Sequence, residues 1–325
     1  LLNQAGKKIS TEFHPRTPVL PKSRKSNAKR LFKKNWQLYI MIIPVIAYFV
    51  IFHYVPMYGI QIAFKDFIAS KGITGSTWVG LKHFTRFFDS YFFWRLMKNT
   101  IGIGLYELLL GFPIPIILAL MINEVRLKFF KKTVQTVTYA PHFLSTVVLV
   151  GMIIIFLSPD NGMINQLIRA FGGNEISFMT EPKWFKTVYV FSGIWQQMGW
   201  SSIIYLAALA GIDPQLHESA TVDGANRLQR IWHVNIPGIL PTIIILLILN
   251  TGSIVSVGFE KVFLMQNDLN LEASDVISTY VYRSGILGAQ FSFAAAVGLF
   301  STVINFILLI TVNSLAKRVG QSSLW

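Results

Sequence analysis

The chain has 325 residues, of which 53% are hydrophobic and 14% charged, with a mean hydropathy of +0.51. Soluble domains average about a quarter charged residues, so this composition excludes an ordinary soluble protein and indicates a membrane protein. The absence of cysteine excludes disulfides, thiolate metal sites and cysteine nucleophiles, and the net charge of +14 is too unevenly placed to suggest nucleic-acid binding.

Ten of the 29 basic residues precede Trp36, in a Pro- and Ser-containing segment covering residues 1–35. Such a segment directly before an apolar span reads as a cytosolic tail near anionic lipid. It is too long for a signal-peptide leader and no small-residue cleavage site follows the span, so it is expected to be retained. The chain opens on Leu1, which leaves its natural start open.

Apolar stretches long enough to cross about 30 Å of hydrocarbon, which takes roughly 20 helical residues, fall near residues 36–62, 96–122, 134–157, 185–211, 237–259 and 287–315. The expected fold is therefore all-α and polytopic, with about six transmembrane helices. Aromatic residues at span ends (Trp36, Tyr39, Phe92 to Trp94, Trp184, Phe185) suit membrane interfaces. The expected division is a tail at 1–35, a first transmembrane helix at 36–64, an extracytoplasmic loop at 65–91, a core of five further helices at 92–315, and a cytosolic tail at 316–325. With the N-terminus inside, 18 Lys and Arg lie on the cytosolic side and 11 on the other, while acidic residues divide 5 to 9 the opposite way. Both termini are thus expected in the cytosol.

In the second span, Glu107 is an expensive residue at mid-membrane and hence a functional candidate. It opens one alternative reading, an ion-coupled secondary transporter or channel. A lone carboxylate without a second acid or a neighbouring His is a poor proton relay, and a hydrogen-bonded structural role is the plainer one. Outside the third span, residues 161–173 suit a short amphipathic helix around Ile164, Leu167 and Ile168. Gln196, Gln197 and Trp200 form a polar and aromatic cluster in the fourth span, and Asn250, Ser253 and Ser256 recur at spacing three in the fifth. Stacked aromatic faces and amides suit a sugar pathway, and the same groups also serve as hydrogen-bonding glue between helices. The six histidines form no cluster with metal-ligand spacing, no Ser-His or paired-acid constellation is present, and the phosphate-loop pattern is missing. No metal, catalytic group or bound cofactor is therefore expected, and any ATP and Mg would belong to a partner ATPase.

The most informative segment is 212–236 with its flanks, GIDPQLHESATVDGANRLQRIWHVNIPGILP from Gly211. Asp213-Pro214 is a helix start, Asp223-Gly224 a helix stop, and Leu228, Ile231, Trp232 and Asn235 suggest one side of a second amphipathic helix ended by Pro237. Two short helices with a sharp bend suit either docking to a partner or simple anchoring of the fifth span.

Glu218-Ser219-Ala220, Asp223-Gly224-Ala225 and Ile236-Pro237 resemble the EAA signature of ATP-binding-cassette (ABC) importer permeases, with serine for the second position. Lys98-Asn99-Thr100, Ala140 to Leu144, Gly162 to Asn165, Ile194-Trp195 and Ile204 to Leu206 are similar to the carbohydrate-uptake members. Gly258 to Val262 and Ser323-Leu324-Trp325 are similar to the polysaccharide-type branch that includes alginate permeases. The resemblance implies a type I importer permease fold and half of a translocation pathway for an oligo- or polysaccharide, possibly acidic. It implies that Glu218, Ser219, Ala220, Asp223, Gly224, Ala225 and Pro237 dock on an ATPase. It further implies a second, paralogous permease, two ATPase subunits, an extracytoplasmic solute-binding protein and a bacterial inner-membrane location. Gln196, Gln197, Trp200, Asn250 and Ser253 are the candidates for the sugar pathway.

Overall fold

A computed structural model describes residues 32, 34–318, 323 and 324. Most of the basic tail expected over residues 1–35, and Trp325 of the terminal motif, lie outside them. The chain packs as two units, Leu1–Gly59 and Ile60–Trp325.

The first unit holds most of helix α1, Trp36–Phe64. None of the residues from Trp36 to Tyr54 is buried. A π turn at Val50–Tyr54 comes just before Pro56. The pattern recurs in the second unit, with π turns at Glu107–Gly111 before Pro113 and at Ile231–Asn235 before Pro237. Proline lacks the N–H for an i→i−4 bond and its ring crowds that carbonyl, so one inserted residue relieves both problems and the helix continues.

The second unit begins with a two-residue hairpin, β1 (Lys65–Asp66) antiparallel to β2 (Thr77–Trp78), and the short helix α2 (Lys82–Phe88). This two-residue pairing is the one sheet among the described residues of an otherwise helical chain, and it gives the 65–91 segment structure. Then follow α3 (Phe93–Glu124), α4 (Lys128–Phe143), α5 (Thr146–Phe156), α6 (Met163–Ala170), α7 (Pro182–Ala210), α8 (Pro214–Val222), α9 (Arg227–Thr251), α10 (Phe259–Met265), α11 (Leu271–Ser274), α12 (Ile277–Tyr282) and α13 (Phe291–Arg318).

Among the described residues four helices are long and apolar enough to cross a membrane: α1, α3, α9 and α13. The expected third span, 134–157, is instead the pair α4 and α5, bent by 102°. Pro141 tightens the end of α4 into a 3-10 turn, and Ser145 starts α5 by accepting a hydrogen bond from the Val148 N–H at 3.3 Å. The expected fourth span is α7, which has 29 residues but carries two lysines, two glutamines and three serines, and it falls short of a membrane span by composition. The expected fifth span ends at Thr251, so Ser253 and Ser256 lie beyond the helix in turns that extend to Gly258.

Helix α7 is the spine of this unit. Phe185, Tyr189, Val190 and Ile194 pack with Ile103 of α3, Val150 of α5 and Val262 and Met265 of α10. Phe185, placed in the aromatic belt from sequence, is a core residue, whereas Trp36 and Trp94 are exposed. Farther along, Tyr205 and Leu209 pack with Ala119, Leu120 and Ile239. A third cluster joins Phe87, Leu96, Val255, Ile277, Phe293 and Val297. Helix α4 comes so close to α7 that a Cβ at Gly199 would stand 2.1 Å from the Thr138 carbonyl oxygen. Only glycine fits there.

The segment from 252 to 277 is held by side chains that substitute for regular secondary structure. Asn99 donates to the carbonyls of Glu272 (2.7 Å) and Asp275 (3.1 Å), and Thr100 Oγ1 accepts from the Ile277 N–H at 3.0 Å. Fully buried Asp275 pairs with Arg95 at 2.7 Å and Arg283 at 3.1 Å. Near the other end of the unit, the Leu324 N–H donates to Asn313 Oδ1 at 2.9 Å.

Candidate functional site

Two features stand out: a protruding bent loop at one end of the second unit and a cavity between its helices. The loop begins where Asp213 caps α8, accepting from the Gln215 N–H at 2.9 Å, with Pro214 at the first helical position. It turns at Gly224, whose φ is +78°, in a complete Schellman motif. The Gly224 N–H donates to the Thr221 carbonyl at 3.1 Å and the Ala225 N–H to the Ala220 carbonyl at 2.9 Å. This geometry explains the spacing between Glu218-Ser219-Ala220 and Asp223-Gly224-Ala225. Ala220 supplies the carbonyl that accepts the longer bond, Asp223 ends the helix, Gly224 takes the left-handed bend and Ala225 donates the longer bond.

Asn226 and Gln229 form a reciprocal capping box at the start of α9, at 2.7 and 3.0 Å, and Arg230 reaches back across the bend to Thr221 Oγ1 at 3.0 Å. Glu218, Ser219, Asp223, Gly224 and Pro237 are exposed, and Ala220 and Ala225 are half-buried. The second amphipathic face is divided by the π turn. Leu228 and Trp232 are exposed while Asn235 is fully buried. Exposed Leu216, Val222 and Leu228 leave apolar surface on a rigid projection.

The cavity has a volume of about 600 Å³. It lies among α3, α7, the end of α9 and the turns to Gly258. Gln197, Trp200, Ser201 and Ile204 line it from one helical face of α7, and Asn250 and Ser253 face them. Sequence periodicity alone grouped Gln196 with these residues, but the structure places it elsewhere. Gln196 is buried, and its Nε2 donates to the Leu144 carbonyl at 2.9 Å, an acceptor exposed by the break between α4 and α5. Asn250 Nδ2 bonds to its own helix at the Leu246 carbonyl (2.7 Å), and Ser253 Oγ to the Asn250 carbonyl (2.9 Å).

His142 does not itself line the cavity but supports two residues that do, and it was missed as a site residue. Its ring stacks on Trp200 with centroids 4.3 Å apart and 3° between planes, and its Nδ1 lies 2.9 Å from Gln197 Oε1. Oε1 only accepts, so Nδ1–H is the donor. One Trp200 face is thereby covered and the indole held in place. The available signal was the His after Pro141, where a helix break turns a side chain toward its neighbour.

Glu107 lies on the cavity wall at the start of the α3 π turn, with Tyr189 and Gly258 also lining the space. Lys261 of α10 donates to the Tyr189 carbonyl at 2.7 Å and lies over that ring at 4.5 Å, bringing a positive charge toward Glu107.

A family profile described as "Binding-protein-dependent transport system inner membrane component" matches residues 111–321. The chain belongs to this family. The polygalacturonan/rhamnogalacturonan transport system permease protein YteP of Bacillus subtilis is 46% identical over 305 residues, 93% of this chain and 95% of its own. Protein LplB of the same organism is 42% identical, over 95% and 97% of the two chains. A chain in the crystal structure of a bacterial alginate ABC transporter, in complex with alginate pentasaccharide-bound periplasmic protein, superposes with a TM-score of 0.84 at 42% identity. That match covers 91% of this chain and 99% of the other. The protein is thus a multi-pass inner-membrane permease with an ABC importer fold, a transport component and not a catalytic enzyme. Transport family membership sets aside the stand-alone ion-coupled reading of Glu107, which becomes a polar wall residue facing Lys261.

Proposed function

We propose that this permease forms half of the translocation pathway of an ATP-driven importer of oligo- or polysaccharides, acidic ones in particular. The observation that carries the reading is the cavity wall on α7, where an indole held by an imidazole stands beside an amide and hydroxyls. Sugars present apolar C–H faces and hydroxyl edges, which match a stacked aromatic surface and amide hydrogen bonds. The acidic preference is supported by the YteP and alginate relatives, whose names carry uronate polymers.

In this reading a second, paralogous permease supplies the other half of the pathway, a solute-binding protein delivers the sugar from outside, and two ATPase subunits bind ATP and Mg. The 212–236 loop, with Glu218 to Ala220, Asp223 to Ala225 and Pro237, docks on one ATPase and transmits its motion. Both termini and the loop are cytosolic, and the 65–91 and 252–290 segments face outward. Single cysteines placed in this cysteine-free chain test that orientation. Lys128→Cys and Asn226→Cys, both at exposed positions, are expected to react with an impermeant thiol reagent only from the cytosolic side, and Thr74→Cys and Asn174→Cys, also exposed, only from outside. Reversed labelling at either pair overturns the arrangement.

The function itself is tested on the complex co-purified from its native membrane and reconstituted. Short oligogalacturonates delivered by the binding protein are expected to stimulate its ATP hydrolysis and enter the vesicles. Trp200→Ala should cut uptake about tenfold by removing a stacking surface of about 1 to 1.5 kcal/mol, with assembly intact. A loss of thermal stability, with uptake per intact complex unchanged, would make Trp200 a packing residue only.

A further inference from the structure

Most basic side chains at the outer end of the protein have partners. Arg95 and Arg283 share Asp275, Lys183 pairs with Glu181, Lys82 with Asp66 and Arg169 with Glu175. Lys65 and Lys261 donate to backbone carbonyls, and Arg86 to Gln290. Lys98 of α3 and Lys186 of α7 differ. Among the described residues neither side chain makes an ion pair or hydrogen bond, and the Lys186 ammonium lies against Gly102, one helical turn after Lys98 on α3. Lys71, also unpaired, is remote in the 65–78 hairpin region.

The pair sits where α7 packs on α3 through Phe185 and Ile103. Lys186 is half-buried, and its ammonium occupies the space beside Gly102, where a Cβ would come within 3.0 Å of Nζ. Gly102 lies one helical turn after Lys98 on α3, so the bare glycine lets the Lys186 head group settle beside the span that carries the second cation. Two like charges kept close, one of them half out of water, raise the free energy of the empty site. A bound anion reverses the sign of that energy. The position is also informative: Lys186 is one turn outward of Tyr189, and Gly102 is two residues outward of Gly104, both of which line the cavity. A sugar entering from outside meets the lysines before it meets Gln197 and Trp200.

We propose that Lys98 and Lys186 form a carboxylate-binding station at the outer mouth of the cavity, which receives a uronate unit of an acidic oligosaccharide. This rests on the sugar-permease reading above. Neutral sugars gain nothing from the station, so it is a determinant of substrate charge, and it draws a polyanion toward the entrance.

The test uses the whole reconstituted complex with its binding protein and oligogalacturonate as probe. Wild-type uptake is expected to weaken as salt is added, because the uronate meets an exposed Lys98 and a half-buried Lys186 whose attraction salt screens. The double variant Lys98→Gln/Lys186→Gln should assemble normally, take up the probe about tenfold less well, as loss of a charge-assisted contact implies, and lose the salt dependence. Lys186→Arg should restore most of the uptake. Unchanged uptake in the double variant overturns the station while leaving the sugar reading standing. Failure of the variant to assemble with the partner permease also overturns it, by assigning the missing carboxylate to that subunit. Absence of oligogalacturonate uptake by the wild-type complex, with a neutral oligosaccharide carried instead, refutes the acidic substrate and the station together but keeps the permease. Absence of any sugar uptake removes the sugar reading as well.

Discussion

Replacing Gly224 by valine is expected to abolish uptake while the permease remains in the membrane. The argument is conformational, because no atom lies within 4 Å of a Cβ built at this glycine. Valine has room, but it cannot hold φ at +78° cheaply. A β-branched side chain in the left-handed region costs on the order of 1 to 2 kcal/mol. That is small against the stability of the whole bundle and comparable to the two hydrogen bonds that close the bend. The chain relieves the strain by opening the turn, which releases the Ala225–Ala220 and Gly224–Thr221 bonds and swings α8 relative to α9. A docking surface with Glu218 and Val222, one turn apart on α8, and Leu228 on the next helix then loses its relative orientation. Gly224→Asn, which tolerates the left-handed region, should keep most of the uptake. Wild-type rates in Gly224→Val, with the complex intact, would reduce the loop to an anchor for the fifth span.

The contrast between this loop and the cavity shows what a single sequence can reveal. Asp213-Pro214, Asp223-Gly224 and the flanking alanines act on backbone groups within five residues, so their roles are legible from spacing alone. The break between α4 and α5 is not, because 134–157 reads as one apolar run and Pro141 near the start of a span is usually tolerated. The bend depends on Ser145 capping a new helix and on Gln196, more than fifty residues away, meeting the freed Leu144 carbonyl. Once Gln196 is committed there, the helical face shared by Gln197, Trp200 and Ile204 becomes the cavity wall. Periodicity could place those residues on α7 but could not choose which side faced the space. Three of the four π turns among the described residues had a readable cause in Pro56, Pro113 and Pro237, the one at Arg283–Leu287 having no proline after it, but their effect is a shift of the helical face after each. That shift is why Leu228 and Asn235 part company.

Lys98-Asn99-Thr100 gives the second case, a motif whose purpose emerges only from its distant partners. Asn99 and Thr100 bind the backbone of 272–277, and Arg95, one turn earlier on the same helix, binds Asp275. The strongest stability effect is therefore expected at Asp275, a residue with no local signature. Its carboxylate is fully buried between Arg95, with 28% of its side chain exposed, and Arg283, with 40% exposed. Removing one member of a buried ionic cluster typically costs 3 to 5 kcal/mol, since the remaining charges lose their counterion. Both arginines here reach water and recover part of their solvation, so Asp275→Ala is expected near the lower bound, about 3 kcal/mol. Asp275→Asn keeps the volume and a carbonyl acceptor but leaves two guanidinium groups facing each other, so it should recover only part of the loss. The measurement is thermal unfolding of the purified complex for the wild type, Asp275→Ala and Asp275→Asn. The loosened 252–277 segment also carries Lys261 and the turn to Gly258, so the same variants should expose this wall of the cavity to proteolysis before the bundle unfolds. Equal melting and equal proteolysis in all three proteins would mean that Asn99 and Thr100 alone hold the segment, and that the ion cluster contributes nothing beyond its own desolvation.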